Sequence, residues 1–282
     1  MKKIDLFIII YSIIIVLSVM YATQPLQPLL AKQFGITAIE ASQFTAVIML
    51  FLAISPIVYG YILEKVCAKK MLFNALSILL ITNIFLGMAK TYEWFLFFRV
   101  CEALVVPAIL TALMSILANI DKDNIKHNMA IYVAATVLGG LIGRLVSGAI
   151  ATSFSYEYVF YSLSFTIFIS LFFVKKLSFE GEAKLNKPKL KDVTNILKDK
   201  RFLFVYTLMF CMFFVFAGVL NVLPFRVKDI SSSINEFQIS LLYLGYGMGI
   251  LVSLLSKKIV KMLLYYLKHI QLHLRHLKHR VG

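Results

Sequence analysis

The stretch ATVLGGLIGRLVSGA, residues 135–149, carries one charge, Arg144, in a run of apolar and small residues. A charge within a membrane span is costly, and it is kept where it faces a protein interior or a wet pathway. The whole chain has a similar character, since 60% of its residues are hydrophobic and its mean hydropathy is +0.85. The stretch therefore predicts a membrane helix with a polar role, in an all-α polytopic membrane protein.

The remaining hydrophobic runs have the length of membrane spans, for which a helix needs about 20 apolar residues. Eight spans are predicted, at residues 6–31, 40–62, 70–89, 92–118, 128–151, 154–174, 202–224 and 237–256. The first run is too long for a signal peptide and no small-residue cleavage site follows it. We expect it to be retained as the first helix.

The net charge of +15 is unevenly distributed. If the N-terminus is cytoplasmic, 23 of the 29 Lys and Arg residues lie in segments on the cytoplasmic side, and four lie outside. This positive-inside bias predicts a multi-pass protein of the plasma (bacterial inner) membrane with a cytoplasmic N-terminus. It makes the lipid bilayer, and no nucleic acid, the expected partner of the basic segments.

The order of spans and polar segments predicts the domain organisation. It comprises an N-terminal six-helix bundle (1–174), a cytoplasmic linker (175–201), a partial C-terminal bundle of two helices (202–256) and a basic tail (257–282). A weak internal repeat supports two halves: Glu40 and Glu236 each open a span, and Lys65 and Lys261 follow 25 residues later. Parallel repeats of this kind occur in secondary transporters, with the substrate site between the halves.

The loop after the second span reads GYILEKVCAKKML, residues 60–72. It resembles the signature of the major facilitator superfamily, which has a glycine, an acid with a basic neighbour, then a glycine and paired basic residues. Gly60, Glu64, Lys65 and Lys69 follow the pattern, whereas Cys67 stands at its second glycine. The resemblance implies a gating latch in which the acid pairs with basic residues or a helix terminus. The alternative is an ordinary short basic loop.

The fourth span contains RVCEA, residues 99–103, similar to the intramembrane motif of the same superfamily with Glu102 in place of glutamine. Arg99 and Glu102 are three residues apart and share a helix face. One interpretation is a pair that only lowers the cost of insertion. The other is a proton-responsive carboxylate whose pKa depends on its basic neighbour and its hydration.

Small residues recur every four positions in the fifth span, where they allow two helix backbones to approach closely. The predicted packing residues are Gly139, Gly140, Gly143, Ser147 and Gly148. The run around Arg144 resembles the arabinose-efflux or multidrug-efflux branch of the superfamily, although the proline usual in antiporters is missing. Close packing explains the small residues but not the arginine.

Depth links Arg144 to Arg99 and Glu102, because the two arginines each lie about 10 Å from the outer edge at ~1.5 Å rise per residue. We expect these three residues to carry proton coupling or substrate charge in a shared site.

Prolines 25 and 28 break the end of the first span and free backbone groups that need protein or water. Candidate substrate-lining residues near this break and near Pro224 are Tyr21, Gln24, Gln27 and Asn221.

The tail departs from the expected pattern, because it holds four of the five histidines and no acid. Three interpretations are open: metal binding by the histidines, a basic segment on the inner leaflet, and a shifted reading frame. The shifted reading frame agrees best with a repeat that is cut short. The three cysteines have no paired spacing. No cofactor and no metal site are predicted.

The predicted function is secondary active transport of the major facilitator type. The resemblance implies proton-coupled export of a small organic molecule, a drug or a sugar, by a fold of six helices plus the first two of a second half. The alternative is a non-transporting truncated membrane fragment or an assembly or binding subunit. An enzyme is not expected, because the spans hold no paired Asp, metal cluster or Ser–His pair, and no catalytic residue is predicted.

Overall fold

A computed structural model describes residues 3–179 and 200–248, together with Lys198, Leu255, Met262 and Tyr266. The helices are α1 (Lys3–Tyr21), α2 (Gln27–Phe34), α3 (Ala38–Leu63), α4 (Ala68–Met88), α5 (Tyr92–Asn119), α6 (Ile125–Ser153), α7 (Tyr156–Lys175), α8 (Lys200–Ile230) and α9 (Glu236–Leu241). Seven of these described helices are long and apolar enough to cross a membrane. The predicted all-α polytopic membrane fold is confirmed.

The prolines divide the first predicted span, 6–31, into α1 and α2. Between them, residues Ala22–Leu26 form a turn, which we call the connector. Proline lacks an amide hydrogen and cannot continue the hydrogen-bond ladder of a helix. Helix α2 then ends at Gly35, whose φ of 66° favours glycine. The chain therefore has a non-helical turn at the end of its first membrane helix.

Local side-chain caps explain where α3 and α9 begin. Thr37 accepts a hydrogen bond from the Glu40 backbone and Glu40 caps Thr37 in return. Asn235 and Gln238 form the same reciprocal arrangement at α9. Such capping boxes satisfy amide groups that a helix start leaves without partners. The two helices at the corresponding places of the predicted repeat thus begin with the same device.

Helix α1 packs most closely against α6. A Cβ atom added to Gly139 would lie 2.6 Å from the carbonyl oxygen of Ile14, and one at Gly143 would meet the backbone of Ser18 even more closely. Ser18 Oγ donates a hydrogen bond of 3.0 Å to the Gly139 carbonyl oxygen. Small residues allow this approach, in which dispersion and interhelical hydrogen bonds hold helices together in lipid.

Helices α8 and α9 differ in how they meet the rest of the bundle. Side chains such as Phe204, Phe210 and Phe214 leave the first half of α8, residues 202–216, exposed. Helix α9 instead lies against α6, since a Cβ atom on Gly148 would be 2.6 Å from the Glu236 carbonyl oxygen. Nearly all of the predicted linker, the end of the eighth predicted span and the tail lie outside the described residues.

Candidate functional site

The centre of the site is a buried ion pair on α5. Arg99 and Glu102 have no exposed side-chain surface, and Arg99 Nη1 lies 2.5 Å from Glu102 Oε2. Asn83 of α4 donates to the other carboxylate oxygen, Oε1, at 2.5 Å. Pairing and hydrogen bonds offset the cost of removing these charges from water. Because Arg99 and Glu102 are three residues apart on one helix, their side chains meet, as the sequence suggests.

The remaining donors of Arg99 are directed at α1 and α3. Its Nε donates to the Phe44 carbonyl oxygen at 2.9 Å. Its Nη2 donates to the Met20 carbonyl oxygen at 3.3 Å and to Thr23 Oγ1 at 3.1 Å. The guanidinium presents its donors in a rigid fork, so these contacts fix its orientation. Arg99 therefore joins α5 to α3, to the end of α1 and to the connector.

Arg144 of α6 is also completely buried, in a second cluster. Its Nε donates to Gln24 Oε1 at 2.7 Å, and its Nη1 donates to the Gly140 carbonyl oxygen at 2.8 Å. The guanidinium carbon lies 4.0 Å from the ring centroid of Tyr21 and 4.9 Å from that of Tyr243. Aromatic faces attract a guanidinium, and more strongly where water is excluded. Helix α6, the end of α1 with the connector, and a short 3-10 helix after α9 (Leu242–Tyr246) therefore meet at Arg144.

The connector relates the two clusters, because consecutive residues serve different arginines. Thr23 accepts from Arg99, whereas Gln24 accepts from Arg144. Both connector side chains are buried. The three predicted charged residues thus lie around one turn of backbone, with Arg99 and Glu102 in one cluster and Arg144 in the other.

A third polar cluster lies at the start of α2. Gln27 Nε2 donates to Thr45 Oγ1 at 2.9 Å and to Asn221 Oδ1 at 3.1 Å. Gln27 is fully buried, and its Oε1 accepts no hydrogen bond from the described residues. Two predicted lining residues, 194 positions apart in the chain, are therefore in contact. A buried amide oxygen with spare accepting capacity suits a polar ligand or water.

The predicted gating residues lie at the other end of the bundle. Lys65 Nζ is 4.6 Å from the ring centroid of Tyr61. Lys69 Nζ donates to the Leu177 carbonyl oxygen at 2.7 Å, just beyond α7. Glu64 Oε2 is buried and has no hydrogen-bond partner among the described residues, and Gly60 faces open space. These contacts join residues within the loop to one another and join Lys69 to the residue two positions beyond the end of α7.

The other small residues of α6 surround Arg144. A Cβ atom on Gly140 would lie 3.0 Å from the ring of Tyr21 and 3.1 Å from the guanidinium. Ser147 Oγ donates to the Arg144 carbonyl oxygen at 3.0 Å. Small side chains here leave room for both the ring and the guanidinium. The glycines thus shape the cluster as well as the helix contact.

The sequence analysis did not identify four residues that contribute to these polar clusters: Thr23, Thr45, Asn83 and Tyr243. Two of them carried a usable signal, because Thr45 and Asn83 are polar residues inside predicted spans, where buried polar groups need partners. Thr23 lies beside the named Gln24 in the connector. Tyr243 is one of 14 tyrosines and has no distinguishing local pattern.

Outside the spans, Lys90 joins the α4–α5 turn to α7. Its Nζ lies 2.8 Å from Glu157 Oε1. The hydrogen bond and the charge of Glu157 raise the pKa of Lys90. The lysine is fully exposed, and such surface pairs contribute little to stability. It therefore orders an edge of the bundle and takes no part in the buried clusters.

Metal-binding groups are not assembled in the described part of the chain. No three His, Cys, Asp or Glu side chains lie together there. Cys67, Cys101 and Cys211 form no disulfide within the described part of the chain. The four histidines of the tail lie outside the described residues.

A bundle of membrane-length helices with buried charges around a broken first helix defines a polytopic membrane protein built around a polar interior. The match to known families makes this class specific: the family model described as Major Facilitator Superfamily matches residues 9–269. The chain belongs to the major facilitator superfamily, a family of membrane transporters.

Individual relatives agree with this assignment. An uncharacterized transporter of Buchnera aphidicola subsp. Schizaphis graminum (strain Sg) is 22% identical over 240 residues, covering 83% of this chain and 58% of the relative. This chain therefore spans under two thirds of the length of that curated relative.

Two solved structures share the fold. One is a bacterial homolog of the human lysosomal transporter Spinster, inward-facing and unoccupied, at TM-score 0.69 and 15% identity, covering 90% of this chain and 60% of that one. The other is a peptide transporter in complex with sulfate, at TM-score 0.59 and 15% identity, covering 88% and 50%.

Proposed function

We propose that this chain acts in proton-coupled export of a small organic molecule, a drug or a sugar, across the bacterial inner membrane. The observation that carries the proposal is the fully buried Arg99–Glu102 pair, attached to the connector beside Arg144. Membership of a transporter family supports the transport class. The proton, the export direction and the substrate class are what we add.

Protonation of Glu102 supplies the coupling step. A neutral carboxylic acid no longer neutralises Arg99, whose charge then rests on two backbone carbonyls and Thr23. An uncompensated buried charge is costly, so the protonated protein favours an arrangement in which water or an anionic substrate group reaches Arg99. Proton occupancy thereby shifts the balance between two states, as alternating access requires.

The connector carries that shift to the substrate. Any movement of Arg99 acts on Thr23, and Gln24, the next residue, holds Arg144. Tyr21 and Gln24 present an aromatic face and an amide on one side of the break. Gln27 and Asn221 present two amides on the other side. We infer that these four residues line the substrate path, with Arg144 attracting a negative or electron-rich group.

The remaining roles complete the proposal. The loop with Gly60, Glu64, Lys65 and Lys69 acts as the gate at the cytoplasmic side, where the N-terminus lies. Residues 1–174 and 202–256 belong to two helix bundles joined by the linker 175–201. The close contact of α6 with α9 at Gly148 closes the opposite side.

The test is transport in proteoliposomes with an imposed pH gradient, using labelled arabinose and a panel of fluorescent drugs. We expect uptake of at least one compound that collapses with the gradient. Glu102→Gln abolishes the pH dependence, whereas Glu93→Gln, at the exposed start of the same helix, leaves it unchanged. Gradient dependence that persists in Glu102→Gln contradicts the coupling role.

Infrared difference spectroscopy tests coupling without knowledge of the substrate. Titration of the wild-type chain should show a protonated-carboxyl band that is absent from Glu102→Gln. If the band is present and no compound moves, the function is instead that of a non-transporting assembly or binding subunit. The exposed first half of α8 specifically favours this second candidate, since residues 202–216 leave a helix face open on which a partner helix could pack.

A further inference from the structure

A pocket opens between the first turn of α4 and the last turn of α7, at the end of the bundle that holds the predicted gating loop. Its volume is about 480 Å³. Its described lining residues are Cys67, Lys69, Lys70, Phe73, Val174 and Lys175. Both helices are membrane-length, so the pocket lies where each of them leaves the bilayer.

The lining combines positive charge with an apolar floor. Three of the six described lining residues are lysines and none is acidic. Lys175 Nζ lies 5.6 Å from the ring centroid of Phe73. The accessible apolar floor is this partly exposed ring, because the other apolar lining residue, Val174, is fully buried. Lysine stems cover apolar surface while their ammonium groups stay at the level of the headgroups. The pocket therefore offers a cationic rim above a hydrocarbon wall.

We propose that this pocket binds an anionic phospholipid of the surrounding leaflet. The lysine rim receives the phosphate and the partly exposed ring of Phe73 receives the start of an acyl chain. Basic pockets between membrane helices on the cytoplasmic side have this chemistry. A soluble phosphate would use the charges alone, whereas a lipid uses both halves of the lining. The proposal does not depend on the transport activity.

Occupation of the pocket acts on the segment that follows α7. Lys69 donates to the Leu177 carbonyl oxygen, and Asp5 of α1 accepts hydrogen bonds from the Ser178 amide at 3.0 Å and from its hydroxyl at 2.5 Å. A lipid beside Lys69 and Lys175 therefore steadies the start of α4 and the end of α7 together. The predicted gating loop, which contains Lys69, becomes sensitive to the lipid composition.

The test is native mass spectrometry of the delipidated full chain titrated with phosphatidylglycerol and, in parallel, with phosphatidylcholine. We expect one phosphatidylglycerol to bind preferentially. The variant Lys70→Gln/Lys175→Gln should weaken that binding by about 30-fold, as the loss of two lysine charges at an anionic headgroup implies. Both lysines are exposed, so the variant should retain the wild-type elution volume.

The matched control removes two exposed lysines of the same membrane side, Lys126→Gln/Lys176→Gln. It should leave phosphatidylglycerol binding within twofold of wild type. Equal losses in the two variants would overturn the proposal, because they would show a diffuse charge effect. Equal binding of both lipids, or displacement by millimolar inorganic phosphate, would also overturn it and indicate a headgroup-independent or a soluble-phosphate site.

Discussion

The Arg99–Glu102 pair predicts a large, non-additive effect of substitution. Glu102→Gln leaves Arg99 buried without its counter-charge and should destabilise the fold by about 3–5 kcal/mol. Arg99→Met leaves Glu102 buried with only Asn83 as a described partner and should cost a similar amount. In each single variant, one charge remains in a site from which water is excluded.

The double variant Arg99→Met/Glu102→Gln removes both charges. The glutamine retains an oxygen for Asn83, whereas Thr23 and the carbonyl oxygens of Phe44 and Met20 lose the donors that Arg99 supplied. Each unmade hydrogen bond costs about 1–3 kcal/mol. Because Arg99→Met loses the same three hydrogen bonds, the double variant should be more stable than Arg99→Met, with a coupling energy of at least about 3 kcal/mol from the figures for a broken buried pair.

Unfolding in mixed detergent and dodecyl sulfate micelles measures these energies. Trp94, the only tryptophan, lies on α5 five residues before Arg99 and provides the fluorescence signal. Hydrogen-bond couplings in membrane proteins average only about 0.6 kcal/mol, so a true ion-pair coupling stands well above that level. Additive losses, with a coupling below about 1 kcal/mol, would refute the view that the two charges depend on each other.

Three further substitutions test the surrounding geometry. Gly143→Ala should lower stability by about 1–3 kcal/mol, because the added methyl group meets the α1 backbone. Gly218 faces open space, so Gly218→Ala should not lower stability, and equal melting temperatures of the two variants would contradict this prediction. Gln24→Leu removes an acceptor from buried Arg144 and should lower the free energy of unfolding by about 1–3 kcal/mol in the same unfolding assay. Gln24→Glu should recover this loss, and a loss that persists in Gln24→Glu would point to side-chain shape alone. Gly148→Ala should push α9 away from α6 and accelerate proteolysis between α8 and α9, and an unchanged cleavage rate would argue against that contact.

Sequence patterns predicted the parts of the structure that depend on nearby residues. The hydrophobic runs located the membrane helices, and the prolines located the break after α1, because both effects act within one segment. The spacing of Arg99 and Glu102 predicted their shared face, since residues three apart are neighbours on any helix. Local geometry therefore predicts reliably which residues lie side by side on the same helix.

Contacts between elements could not be predicted in the same way. Depth placed Arg99 and Arg144 in one layer of the membrane, but it contains no information on how each helix is rotated about its axis. The structure directs Arg99 to Thr23 and Arg144 to Gln24. The partner Asn83 depends on how α4 meets α5, which only tertiary packing decides.

The partners of the two arginines also set an order for biosynthesis. Arg99 has its counter-charge one helical turn away, so α5 can enter the bilayer with its charge already neutralised. Arg144 instead depends on Gln24, which is made 120 residues earlier, and on Tyr243, which is made later. Helix α6 thus inserts at low cost only after α1 is in place beside it, and the burial of Arg144 is completed when the short 3-10 helix after α9 leaves the ribosome. The order of folding of this membrane protein therefore depends on where in the chain the partners of one guanidinium, that of Arg144, lie.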